Sequence, residues 1–321
     1  MNRASLIFAG LLVLALPLSL LAGRVWIDPA VTPNAALILI ELRLPRGILA
    51  VVIGAGLGAA GAAMQGYLRN PLADPGLFGI APMAAFGAVL SFWVGSFLPA
   101  QLAAWALPIF ALAGAALAMG LLAVIAGRTG GIALFTLAGL MIASLSGALT
   151  ALAITLAPNP FALSEIVLWL NGAITDRSWR EVLLAAPLIA VGIGILAFAA
   201  RPLDALTLGQ DAARSMGVDP NRLLWLLITG IGLTVGAGVA VAGIIGFVGL
   251  IVPHLVRPLT DRLPSSLILP SALAGALLLL IADSLIRVLP FVTELRLGIA
   301  LSLIGAPFFL WLLLCMRRGA L

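Results

Sequence analysis

The chain has 321 residues, 63% of them hydrophobic and only 9% charged, with a mean hydropathy of +1.24, which excludes a soluble domain of roughly 45–50% apolar and about 25% charged residues. The formal charge of +5 rests on 17 basic residues, every one an arginine. Without lysine there is no P-loop, whose ammonium neutralises the β- and γ-phosphates, and no Schiff base, so if ATP drives this protein another chain hydrolyses it.

An all-α, polytopic membrane protein follows, one domain over residues 1–321, with ten crossings using roughly 200 residues at about 20 each. The first apolar run, about 5–22, follows Arg3 and has no convincing cleavage site, so it reads as a retained span. Further runs, set between polar or Pro/Gly breaks, lie at about 45–67, 77–97, 102–126, 132–157, 181–200, 222–242, 246–257, 266–289 and 296–316. The run at 246–257 is too short to cross alone. It belongs to Gly243–Arg257, GIIGFVGLIVPHLVR, where glycines let helices approach closely and Pro253 breaks the backbone ladder. Neighbouring helices must satisfy the freed groups, and broken helices of this kind tend to line transport pathways.

With the amino terminus inside, Arg3, Arg69, Arg128, Arg201, Arg214, Arg222, Arg257, Arg262, Arg317 and Arg318 are cytoplasmic, and both termini are inside. Seven arginines remain outside: Arg43 with Arg46, Arg177 with Arg180, Arg287 with Arg296, and Arg24. These are either snorkelling anchors or a docking surface for an acidic partner. The runs beginning at Arg46 and Arg222 share a basic start and closely spaced glycines, and in this topology they run in opposite directions, as in an inverted repeat.

Between spans, Asn70-Pro71-Leu72-Ala73-Asp74-Pro75 is a tight connection that helix cannot continue through. The polar stretch at about 207–221 is long enough for a short amphipathic helix with Leu208, Ala212 and Met216 on one face. His254 is the sole histidine, so no metal site is expected, and the lone Cys315 forms no internal disulfide.

Five segments in this order, Leu42-RLPR-Gly47, Met64-QGYLRNPLADPGLFG-Ile80, Leu208-GQDAARSMGV-Asp219, Gly246-FVGLIVPHLVR-Pro258 and Glu294-LRLGIALSLIGAPFF-Leu310, resemble the FecCD-type permeases of binding-protein-dependent ABC importers for iron-siderophores, haem and cobalamin. The resemblance implies a type II ABC importer permease fold in the inner membrane, in contact with lipid, with no cofactor of its own and no nucleic acid. It implies three protein partners: a second permease subunit, identical or paralogous; a cytoplasmic ATPase dimer that holds ATP and Mg²⁺; and a periplasmic or lipid-anchored substrate-binding protein. The cargo it favours is a ferric siderophore, with haem or cobalamin as alternatives.

By the same resemblance the 207–221 segment is the coupling helix, with Leu208, Gly209, Ala213, Arg214, Gly217 and Val218 on the matching pattern. Asn70 and Leu72 fall at a cytoplasmic gate. Arg43, Arg46 and Arg287 correspond to arginines that pair with glutamates of the binding protein, a task suited to the always-charged, bidentate guanidinium. The Trp169-Leu170-Asn171-Gly172 stretch matches an outer gate helix, with interfacial anchoring, shared by Trp179, as the alternative. Three features depart from the family: Arg296 stands where proline is usual, Asp261-Arg262 lacks an intervening histidine, and Gly130-Gly131 differs enough that no role carries over.

Two rival classes remain. A secondary transporter needs ionisable groups at the midplane, whereas Glu41, Glu165, Asp283 and Glu294 fall near span ends. An intramembrane serine protease would need Ser146 and His254 to meet within about 3 Å, and no spacing supports that.

Overall fold

The computed structural model describes residues 3–95, 99–127, 131–290 and 294–317; Arg128 and Arg318, two of the arginines expected on the inner side, and Gly130 lie outside them. Twelve helices follow one another among the described residues: α1 Arg3–Leu21, α2 Ala35–Leu68, α3 Ile80–Val94, α4 Ala100–Ala126, α5 Ile132–Thr155, α6 Pro160–Leu170, α7 Trp179–Thr207, α8 Gln210–Ser215, α9 Pro220–Ala242, α10 Val248–Val256, α11 Pro264–Val288 and α12 Leu297–Arg317. Eight are long and apolar enough to cross a membrane. The short apolar helices α3 and α10 complete the ten runs read from the sequence, while α6 and α8 are connecting helices. At nine residues, α10 rises only about 13 Å, well short of a hydrocarbon core of about 30 Å. Residues 243–247 before it are not helical, so this span is discontinuous as its glycines and proline predict.

The two glycine-rich spans form the centre. In α2 and α9 the most apolar window is 78% buried, above the other six long spans. Their opposed direction is visible in their neighbours: Tyr67 at the end of α2 shares a cavity with Asn221 and Leu223 at the start of α9, and Ile53 lies beside Gly238 near its other end. Against α11 and α10, α2 presents Gly54, Gly58 and Gly61, where an added Cβ would overlap the backbone oxygens of Gly275, Ser271 and Gly249. Backbone rests on backbone along this seam, which only glycine permits.

Pro253 has no N–H for the Gly249 carbonyl four residues earlier. The repair comes from α2. Gln65, 2% exposed, directs Nε2 at the carbonyls of Gly249 (3.4 Å) and Leu250 (3.2 Å), while its Oε1 accepts from Arg257 Nη2 at 2.8 Å. A second irregularity, absent from the sequence reading, lies before Arg43: residues Ile38–Arg43 form a π-helical turn that extends α2 back to Ala35. Trp179 Nε1 donates to the Ile40 carbonyl at 3.1 Å, so this tryptophan closes a backbone defect.

Candidate functional site

The three arginines expected on the outer face do come together, each with a partner inside the chain. The last carbonyls of α1 have no intrahelical donors, and Arg43 supplies them. Its Nη1 donates to Leu20 O at 3.0 Å and Ala22 O at 2.5 Å, and its Nη2 to Val25 O at 3.0 Å. Arg46, 9% exposed, sets Nε 3.0 Å from both Asp283 oxygens and Nη2 2.9 Å from Oδ1, and reaches Glu294 Oε2 at 3.0 Å. Arg287 approaches the same aspartate, Nε to Oδ2 at 3.1 Å, and its Nη2 donates to Ser19 O and Oγ at 3.1 and 2.8 Å.

Asp283, 1% exposed, is therefore the hub joining α1, α2 and α11. Its i,i+4 spacing to Arg287 is a helix-pair signal, whereas its bond to Arg46 spans 237 residues and leaves no local trace. Glu294 accepts from Thr175 Oγ1 at 3.0 Å as well, tying the cluster to the loop before α7. Burial alone would push the Glu294 carboxyl up, but the Arg46 charge, hydrogen bonds from Arg46 and Thr175, and the more distant Arg287 hold it below the usual carboxylate range. A cavity of about 590 Å³ opens over these groups, lined by Arg24, Arg43, Arg46, Arg177 and Arg287 against Glu41, Asp176 and Glu294. Arg287 Nη1 and Arg177 Nε are buried without a hydrogen-bond partner, and Arg24 is exposed. This basic concavity suits carboxylates.

At the other end, α8 is shorter than the 207–221 segment because a glycine in the left-handed region stops it on each side, Gly209 at φ 108° and Gly217 at φ 86°. No atom crowds either position, so dihedral and not space demands glycine. Ala213 is buried, while Leu208 and Met216 stand 68% and 62% exposed at the two ends of the turn. The expected face of Leu208, Ala212 and Met216 is thus directed away from the bundle at its ends, and Ala213 faces it. Val218 N donates back to Ala213 O at 3.0 Å, and Arg214 lies 3.7 Å from Asp211 with both exposed.

The two residues expected at a gate, Asn70 and Leu72, lie close to this loop. Asn70 Oδ1 accepts from Leu72 N at 3.0 Å, an Asx turn that redirects the chain after α2, and Asp74 Oδ1 accepts from Gly76 N at 2.7 Å. Tyr67, three residues before Asn70, lines a cavity of about 280 Å³ with Gln210, Ala213, Arg214 and Val218, which brings the two motifs together. Pro75 rests on Gly249 of α10.

At the end of the bundle that carries the arginine cluster, Ala173 N donates to Ala242 O at 2.8 Å and Gly298 N to Gly172 O at 3.0 Å, so the loop after α6 is fastened to α9 and α12. Ser146 donates to Ile142 O at 2.6 Å and the His254 ring lies 6.1 Å from Phe308, an arrangement without a nucleophile–base pair. Asp283, five residues from the end of α11 as its place in the sequence suggests, is engaged by two guanidinium groups.

A bundle of eight long apolar helices and two short ones, one of them preceded by non-helical backbone, with an exposed short helix between spans and no lysine for a nucleotide, fits a permease driven by a separate ATPase. Comparison with known proteins agrees. The chain belongs to the FecCD transport family, whose profile matches residues 11–315, and it is a permease subunit of an ABC importer. It is 38% identical over 317 residues to the vitamin B12 import system permease protein BtuC of Escherichia coli O9:H4, covering 96% of this chain and 94% of that protein. The same identity and coverage hold for the protein of that name from Salmonella paratyphi A. A solved inward-facing structure assigned to the metal-chelate type of ABC transporter superposes with a TM-score of 0.84 at 31% identity, over 95% of this chain and 96% of that one. PsaBC from Streptococcus pneumoniae in complex with Fab shares the fold more distantly, with a TM-score of 0.52 at 22% identity over 83% and 88% of the two chains.

Proposed function

We propose that this chain and a second permease subunit enclose the path of a binding-protein-dependent importer whose cargo is a metal chelate, cobalamin before ferric siderophore or haem. The observation that carries the cargo is the 38% identity to vitamin B12 permeases over 96% of the chain. It displaces the ferric siderophore favoured on family resemblance. The chemistry is conformational: ATP and Mg²⁺ act on the partner ATPase, the segment at about 207–221 transmits its closure, and Asn70 with Leu72 closes the inner end of the path. Proteoliposomes holding the permease, its ATPase and its binding protein test this by ATP-dependent uptake. Accumulation of cobalamin is expected; uptake of a ferric siderophore or haem in its place overturns the cargo, and hydrolysis by the permease alone overturns the division of labour.

Coupling is assigned to Leu208, Gly209, Ala213, Arg214, Gly217 and Val218. Gly217→Leu forces a bulky side chain into left-handed backbone at about 1–2 kcal/mol. The expected result is a folded permease whose uptake falls by on the order of tenfold or more while the ATPase still hydrolyses, and Arg214→Glu should act in the same direction. Unchanged uptake with normal co-purification of the ATPase removes the assignment.

Docking of the binding protein is assigned to the cavity of Arg43, Arg46 and Arg287. Because these three also hold the fold, its first probe is Arg24→Glu, at the exposed rim. Reversal of a rim charge acts mainly through steering, so affinity should fall on the order of tenfold, ~1.4 kcal/mol, with a shallower salt dependence. Parental affinity across ionic strength would place docking elsewhere.

A further inference from the structure

On the membrane-facing side of the coupling loop, a groove of about 680 Å³ runs between the last turns of α7 and the first turns of α9. Phe198, Pro202, Met216 and Leu226 are among its apolar lining, and Arg201 and Arg222 line it as well, both exposed. Neither arginine has an ion pair or hydrogen bond among the described residues. Asp219 also lines the groove and caps α9, accepting from Asn221 N at 2.8 Å, and Asp204 accepts from Ser265 N at 2.8 Å.

Two features call for an anion here. Arg222 lies in the first turn of the 23-residue helix α9, where the helix dipole disfavours a cation and favours negative charge. Phe198 is 77% exposed three residues before Arg201, so an occupant must present apolar chains and an anionic head together. A soluble phosphate offers only the second.

We propose that this groove is a binding site for one anionic phospholipid, whose phosphate is held by Arg201 and Arg222 and whose acyl chains lie on Phe198 and Leu226. Basic pockets between spanning helices on the cytoplasmic side recognise lipid headgroups in this way. Because Met216, Gly217 and Val218 also line the groove, the lipid buttresses the end of α8. The site is independent of the cargo.

The test uses the permease–ATPase complex purified into nanodiscs of phosphatidylcholine with a minor share of phosphatidylglycerol. Native mass spectrometry should find phosphatidylglycerol retained on the permease. Retention should drop about thirtyfold in Arg201→Gln/Arg222→Gln, two basic side chains contributing about fivefold each, and return with lysine at both positions. Excess inorganic phosphate should not displace the lipid. Should the double glutamine variant fail to assemble, photoreactive phosphatidylglycerol is applied to the parent complex, with labelling expected at Phe198 and Leu226. Equal retention in parent and variant, labelling outside the groove, or full competition by inorganic phosphate overturns the proposal. So does loss of the ATPase with lipid retention unchanged, which would make the two arginines an ATPase contact.

Discussion

Asp283→Ala is expected to destabilise the permease by about 3–5 kcal/mol, the cost of leaving buried charges without their counter-ion. Two guanidinium groups share this carboxylate, Arg46 through three contacts of 2.9 to 3.0 Å and Arg287 through one of 3.1 Å. The side chain of Asp283 is 1% exposed and that of Arg46 11%, so water cannot replace what is lost. Asp283→Asn keeps one acceptor oxygen and should fall between the alanine variant and the parent. Thermal unfolding of the detergent-purified chain reads the effect directly.

A further variant separates structure from docking. Replacing the whole group by apolar residues, Arg46→Met with Asp283→Leu and Arg287→Met, should restore much of the stability, because a buried ion triad is seldom worth more than well-packed side chains of similar volume. Docking of the binding protein should nevertheless be lost, since the cavity keeps only Arg24, Arg43 and Arg177 among its basic lining. If the apolar triple variant is stable and still docks normally, the arginines serve folding alone. Glu294 adds a pH dependence of known sign. Its folded pKa lies below the unfolded one, so its contribution is complete above the ordinary carboxylate range and is lost as pH falls through the folded value.

Much of this was legible in the sequence where the signal is local. Proline, glycine and arginine breaks placed ten spans that each coincide with a helix to within a few residues, apart from the end of α7, which runs seven residues past the predicted 200 to Thr207, and the start of α2, where the π-helical turn at Ile38–Arg43 carries no local mark. The Gly243–Arg257 motif announced broken backbone, and the structure supplies the partner, Gln65, from a segment 184 residues away. What local pattern cannot show is pairing across the fold. Arg46 and Arg287 read as outward cations because nothing near Arg46 in the sequence marks Asp283, 237 residues away, as their common counter-ion. In the helix it is the residue i−4 from Arg287, turned inward, and the same turn brings Arg46 to it. The polar segment proposed for coupling stands out in the sequence, but its helix is cut to Gln210–Ser215 by Gly209 and Gly217, whose positive φ the local pattern does not announce.

Gly61→Val is expected to prevent accumulation of folded permease, because its Cβ would overlap the carbonyl group and Cα of Gly249. Backbone cannot swing aside as a side chain does, so α2 and α10 would have to separate. Separation also withdraws Gln65 from the Gly249 and Leu250 carbonyls and from Arg257, and leaves the gap at Pro253 unfilled in an apolar interior. Each uncovered buried polar group costs about 1–3 kcal/mol, which sets the scale for the milder Gln65→Leu, where the seam stays closed and only the amide is lost. Gly10 and Gly194 serve as controls, since nothing lies within 4 Å of an added Cβ at either. Alanine there should be neutral or stabilising by up to about 1 kcal/mol. Fluorescence-detected size exclusion of tagged variants checks the order: Gly61→Val absent from the folded peak, Gln65→Leu present but melting earlier, and the two alanine controls like the parent. A normal peak and melting point for Gly61→Val would mean that α2 and α10 are not in backbone contact, and that the break at Pro253 is satisfied by something other than Gln65.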